Sequence, residues 1–402
     1  MTPIRMWKLK RELRRLVPKT FETLAEPFRF LTFVPLYDLR KSRLMRISQG
    51  ALMQSDEVAI YLIYAPQGVQ ASHHHMLSEM LRAGISPIVV SNLPLSDADR
   101  DSLRQQTFRV IERPNVGYDF GGYRDGILSI VDLLPRLDRL WILNDSAWLV
   151  DQSPSWFNAA RALGKDFVGS VSKFGIRKVD VEDHGRITWE IDHGHRKYHL
   201  ASNTWSLGPA ILRDPGFMTF WKRLQIRDSK YYTVRRGEIG FSRWVIDRGF
   251  SHGTTLSVET LDVDLARLDD DELDAVTKNL LVLEERLEPT RGRVLQIDRH
   301  SEAGRRARIS LCLATTARHG SIVALPFYNL THEQLHFFKK SVLNASESTA
   351  RTALGILQLL PGQTGEMIRH EALAMATRIH GPIPEAGPGT GHRAMQHEGD
   401  RQ

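Results

Sequence analysis

The chain has 402 residues, 42% hydrophobic and 25% charged, the proportions of an ordinary globular protein rather than a disordered or fibrous one. It lacks the run of about 18 uncharged apolar residues that a spanning helix needs, and its single cysteine, Cys312, excludes an intramolecular disulfide framework and a thiolate metal cluster. The net charge of +7 is localised: residues 1–50 hold twelve Lys or Arg against four acids, so the remaining 352 residues sum to −1.

In that basic segment Met6, Trp7, Leu9, Leu13 and Leu16 stand among cations. The pattern suits an anionic membrane face, or a solvated amphipathic helix packed on its own domain. Charges interrupt every apolar core a secretory signal would require, and the lone cysteine fits a reducing cytosol. No recognised nucleic-acid module accompanies the basic segment, so nucleic acid is not an expected partner.

Alternating elements begin at residue 56. DEVAIYLIYAP (56–66) is an apolar, β-branched and aromatic run ending at proline, hence a buried strand. QASHHHMLSEMLRAG (70–84) has helical spacing with Gly84 as its stop, ISPIVVSNLPL (85–95) is a second strand, Ser96 opens a helix, and FRVIERP is a third strand. The spacing predicts a helix from about 118 to 134, closed by Pro135, and then the strand LDRLWILNDS (137–146). Such alternation implies an α/β fold with a mostly parallel, doubly wound, Rossmann-like sheet, whose ligands sit beyond the carboxyl ends of the strands. Residues 263–380 read as mainly helical, and 381–402, with five Gly and three Pro, as a disordered tail. The expected organisation is therefore 1–50, 51–262, 263–380 and 381–402.

At one strand end stands NVGYDFGGYRDGI (115–127). It matches neither GxGxxG nor a Walker loop, which weakens dinucleotide and P-loop chemistry. Gly121 and Gly122 permit close approach of a ligand, Asp119 can accept hydrogen bonds from a base or sugar, and Arg124 offers a diphosphate its fork of donors. The plainer alternative makes Asp119 a helix cap and the glycines relief for helix–sheet crowding. At the next strand end, Asn144 and Asp145 place a carboxylate where Mg²⁺ or Mn²⁺ holding phosphate oxygens would bind, or else form only a capped turn.

NVGYDFGGYRDGI, LNDS, HLASNTWSLG, FMTFWKRL and RRGEIGFSRWVIDRGF, in that order over residues 56–255, resemble the rhamnan synthesis protein F family of bacterial polysaccharide glycosyltransferases. The resemblance implies a GT-A-like nucleotide-binding sheet. It implies transfer of rhamnose or a related deoxyhexose from a nucleotide-sugar donor to a lipopolysaccharide or other cell-surface glycan, with a glycan or lipid-linked glycan as acceptor. Asn115, Asp119 and Arg124 would line the donor pocket, and Asp145 would meet the metal or the diphosphate. Asn-Asp-Ser replaces the usual Asp-x-Asp, so dependence on a divalent cation stays open.

Glycosyl transfer with inversion also needs a base for the acceptor hydroxyl. Glu238, in RRGEIG, is the candidate, with Gly237 and Gly240 leaving it accessible and Arg235 and Arg236 keeping it ionised; the alternative is a carboxylate at a helix start. His73–His75 are expected at a surface or in packing, DHGHRKYH (192–199) as a polar loop that could chelate, and Trp205, Trp221 and Trp244 in the core. The competing functions are a non-catalytic glycosyltransferase-like subunit that recruits partners, and a nucleotide-sugar-modifying enzyme. The expected location is the cytoplasm, at the inner face of the plasma membrane.

Overall fold

A computed structural model describes residues 37–40, 43–226 and 230–383. Most of the basic segment and of the Gly/Pro-rich tail therefore lies outside the described residues. The strands are β1 (Arg46–Gln49), β2 (Glu57–Ile63), β3 (Ser86–Ser91), β4 (Arg109–Glu112), β5 (Arg139–Asn144), β6 (Ala147–Leu149), β7 (Phe167–Gly169), β8 (Ser172–Lys173), β9 (His199–Leu200), β10 (Thr204–Leu207), β11 (His252–Thr254) and β12 (Phe337–Lys339). The helices that build the site are α1 (Ala71–Arg82), α2 (Asp97–Gln105), α3 (Tyr118–Leu128), α4 (Gly240–Asp247), α5 (Glu302–His319) and α6 (Gly362–His380).

Eight strands form one sheet in the order β1-β4-β3-β2-β5-β10-β7-β11. β4, β3, β2 and β5 are mutually parallel, β10 runs against β5 and β7, and β11 is parallel to β7. The fold is thus α/β, with a sheet parallel through its first half, as the alternation of elements implies. β1, unexpected from the basic sequence around it, pairs antiparallel with β4 and covers that edge.

The central strand β2 is apolar throughout because both faces of the sheet are covered. Val58, Ile60 and Leu62 point into one core with α3 and α4, while Ala59, Tyr61 and Ile63 point into another with α1, α2, α5 and α6. The C-terminal helical region therefore shares a core with the sheet. A two-residue hydrogen-bonded turn's distance after β5, β6 pairs antiparallel with β12, which sets Lys339 opposite Ala147.

The glycines of α3 are explained by this packing. A Cβ at Gly122 would lie 2.3 Å from Leu62 Cδ1, and one at Gly126 would lie 2.8 Å from Ile60 Cγ2. Side chains there would push the helix off β2. α3 is shorter than its sequence suggests, ending at Leu128 where the Ser129 hydroxyl donates to the Gly126 carbonyl (2.7 Å). Trp205 and Trp221 are fully buried and Trp244 packs against the same cluster. No helix among the described residues is long and apolar enough to cross a membrane.

Candidate functional site

The carboxyl ends of β2, β5 and β7 and the amino end of β10 meet at one rim of the sheet, as the parallel and antiparallel pairings require. α3 begins at this rim through two residues in the left-handed region, Gly117 (φ 78°) and Tyr118 (φ 51°). Tyrosine pays a steric cost there, the kind of backbone strain that clusters at functional sites. The turn leaves the Tyr118 ring 41% exposed beside Asp119.

Asp119 and Asp145 stand at this rim in two hydrogen-bond groups that meet in the consecutive residues Asn144 and Asp145. Asn144 Nδ2 donates to Asp119 Oδ2 (3.0 Å), while Asn144 Oδ1 accepts from the Ser146 amide (3.1 Å) and hydroxyl (2.6 Å), which fixes the amide's orientation. Lys339 Nζ completes the chain by donating to Ser146 Oγ (3.1 Å). Burial, with Lys173 nearby, pushes the Lys339 amine down to about 7, against the attraction of Glu238 and Asp119. Asp145 Oδ2 accepts from the Tyr64 amide (2.7 Å) and lies 3.4 Å from His73 Nε2. Since His73 Nδ1 accepts from the Gln70 amide (2.8 Å), the ring's proton sits on Nε2, facing Asp145.

Glu238 lies in a π-helical turn, Val234–Ile239, a distortion frequent at functional sites. Its Oε1 accepts from the Ser202 amide (2.7 Å) and its Oε2 lies 3.4 Å from His199 Nε2. Although burial works the other way, His199, Lys173 and the Ser202 amide hold this carboxyl down at about 2. Arg235 and Arg236 do not do this: Arg235 is exposed, and Arg236 turns its guanidinium over the Tyr232 ring. Nor does Gly237 open access to Glu238; a Cβ there would lie 2.4 Å from Phe120 Cγ, so the glycine admits that ring.

The other sequence candidates divide. Asn115 is exposed in the loop before α3. Gly121 serves packing, since a Cβ would lie 2.0 Å from the Val116 carbonyl oxygen. Arg124 is buried with its guanidinium committed elsewhere: Nη1 and Nη2 grip Asp38 (2.8 and 2.7 Å) and Nε donates to the Trp221 carbonyl (3.0 Å). The fork of donors expected to face a diphosphate instead ties α3 to the segment before β1. Beside it, Arg113 and Asp125 form a fully buried pair (2.7 Å) joined by the Tyr37 hydroxyl (2.5 Å to Asp125).

Four residues that reach this rim escaped the sequence reading as members of it. His73 is buried rather than superficial, and the glutamine three positions before it was its one local signal. His199, expected in a loop, is a strand residue 1% exposed, with Nδ1 2.7 Å from the Lys197 carbonyl. Lys173 and Lys339 come from distant segments with no motif of their own. A separate His75, Glu79 and Asp151 cluster has metal-ligand composition, but Arg82 already pairs with Glu79.

The rim of this α/β sheet thus gathers Asp119, Asp145, Glu238 and Lys339, with Lys173 close enough to act on Glu238 and Lys339. The model of the family described as rhamnan synthesis protein F matches residues 87–306, more than half of the chain, and the chain belongs to that family. The uncharacterized protein y4gN of Sinorhizobium fredii is 29% identical over 212 residues, 52% of this chain and 50% of the relative, so the chain matches about half the length of that curated relative. Among solved structures, a Bacillus anthracis protein described as a glucose-1-phosphate thymidylyltransferase, in complex with a sucrose, aligns at 11% identity with a TM-score of 0.30, covering 50% of this chain and 87% of that one. The galactosyltransferase LgtC in complex with donor and acceptor sugar analogs aligns at 14% with a TM-score of 0.24, covering 47% and 64%. Both are distant likenesses, from which no role is drawn.

Proposed function

We propose that the protein transfers a sugar, rhamnose or a related deoxyhexose, from a nucleotide-sugar donor to a growing lipopolysaccharide or other cell-surface polysaccharide. The observation that carries this reading is the continuous path Lys339–Ser146–Asn144–Asp119 with Asp145 adjacent, which sets acids and a titratable amine along one rim. Tyr118 and Tyr64, 41% and 49% exposed, offer the donor's base a ring to stack on. Asp119 accepts from the donor's ribose or sugar hydroxyls, and the Lys339 ammonium, charged below about 7, meets the diphosphate.

The oxygen donors of Asp145 and Asp119 suit a hard divalent cation, which when bound would neutralise the departing nucleoside diphosphate. His73, donating to Asp145, orients that carboxylate. Glu238 takes the acceptor's proton. As the acceptor oxygen bonds to the anomeric carbon, the donor's C–O bond breaks with its electrons leaving on the diphosphate, and the hydroxyl becomes an oxonium. That species is a far stronger acid than any carboxylic acid, so a carboxylate held near 2 still accepts its proton. The N-terminal cations favour an acceptor presented at an anionic membrane face.

The test is thermal stabilisation by a panel of dTDP-, GDP- and UDP-sugars with and without Mn²⁺. The reading expects at least one to raise the melting temperature of the wild type and not of Asp145→Asn. If none does, while NAD or a phosphosugar does, the reading fails.

A further inference from the structure

A cavity of about 240 Å³ lies between the segment that includes β8 and the end of α5. Its lining includes Lys173, Phe174, Lys178, Thr316, Arg318 and His319, and among the described residues no acid lines it. The Lys178 ammonium donates to the Arg318 carbonyl (3.3 Å) and sits 3.9 Å from the centre of the Phe174 ring. Phe174 is itself held at φ 65°, a conformation a bulky side chain adopts only when its surroundings impose it. The Arg318 guanidinium turns away to Glu284 (2.6 Å), leaving the two lysines as the cavity's own charge. Two further polar atoms, His319 Nε2 and Thr316 Oγ1, are buried without a hydrogen-bond partner among the described residues, and Thr316 is only 3% exposed. Buried polar atoms are seldom left so, and each costs about 1–3 kcal/mol until something satisfies it.

Two ammonium groups, an imidazole nitrogen and a hydroxyl around a space of this size call for a compact anion with several oxygens. We propose that the cavity binds a phosphate or diphosphate group, and that the group belongs to the acceptor. The second part rests on the glycosyltransferase reading and on one connection: Lys173 and Phe174 line the cavity and also meet His199, Lys173 by pairing with it between β8 and β9 and Phe174 with ring centroids 5.5 Å apart, and His199 Nε2 lies 3.4 Å from Glu238. An anion held there stands behind His199, on the side from which His199 meets Glu238. The cavity then fixes an acceptor by its phosphate while the hydroxyl to be glycosylated approaches Glu238.

The experiment is calorimetric titration of the full chain with inorganic pyrophosphate and, separately, with a nucleoside diphosphate. Wild type, Asp145→Asn, Lys178→Met and the near-isosteric Thr316→Val are compared. Pyrophosphate binding that survives Asp145→Asn and weakens at least tenfold in Lys178→Met and several-fold in Thr316→Val supports the cavity. Nucleotide binding should show the opposite dependence, lost in Asp145→Asn and kept in the two cavity variants. Pyrophosphate binding unchanged by both cavity substitutions, or absent from the wild type, overturns the proposal. Absence of nucleotide binding from the wild type, or its survival in Asp145→Asn, overturns the donor reading and leaves the cavity standing. A short prenyl diphosphate in place of pyrophosphate separates the sources: tighter binding assigns the group to a lipid carrier, equal binding to a soluble phosphorylated acceptor.

Discussion

Glu238→Gln is the substitution whose consequence is most directly worked from the structure. A carboxyl moved from 4.5 to about 2 on folding contributes about 3 kcal/mol to stability when ionised. The folded value is the depressed one, so this contribution is present in full above the unfolded value of 4.5 and is lost as the pH falls toward about 2. At pH 3 roughly 2 kcal/mol of it should already be gone. Glutamine keeps an acceptor for the Ser202 amide but has no charge for His199 and Lys173 to stabilise. The difference in unfolding free energy between wild type and Glu238→Gln, followed by urea titration at steps from pH 7 to pH 3, should therefore shrink by about 2 kcal/mol. The same substitution should abolish transfer at pH 7 while leaving nucleotide binding intact. A stability difference that is flat across this range would refute the view that the cluster holds Glu238 ionised.

Three further outcomes follow from the packing and the charges. Gly122→Ala places a methyl 2.3 Å from Leu62 Cδ1 and should cost about 1–3 kcal/mol, read as a lowered melting temperature by circular dichroism. Arg113→Met strands the fully buried Asp125 carboxylate and should cost about 3–5 kcal/mol, much of it recovered in Arg113→Met/Asp125→Leu. Because the Lys339 amine is charged only below about 7, nucleoside diphosphate affinity should fall as pH rises from 6 to 8.5, and Lys339→Met should bind weakly with that dependence gone.

The parallel half of the sheet was legible because its strands are continuous apolar runs punctuated by proline, glycine and caps; DEVAIYLIYAP could be little else. The positions of Asp119 and Asp145 at a common rim followed from the same alternation. The glycines were harder. Gly121, Gly122 and Gly126 look alike to a ligand-binding loop and to a closely packed helix, and only the Val116 carbonyl beside the first, with Leu62 and Ile60 beneath the other two, decides the matter. Arg124 misled for a related reason, since a guanidinium beside a candidate site finds a carboxylate wherever one exists, here Asp38. Lys339 was invisible: it reaches the site because β12 pairs with β6 across nearly half the chain, a contact that leaves no local periodicity. His199 likewise sits in a stretch whose polarity suggests a loop until Glu238 folds against it.

The central claim is that Asp119 and Asp145 act on one donor, and a double-mutant cycle on nucleoside diphosphate affinity tests it most directly. Each of Asp119→Asn and Asp145→Asn should weaken binding by roughly tenfold, and the double variant by little more than either, the non-additivity of residues sharing one bound group. Losses that multiply, or a single variant that binds as the wild type does, would place the two acids at separate tasks and contradict the account.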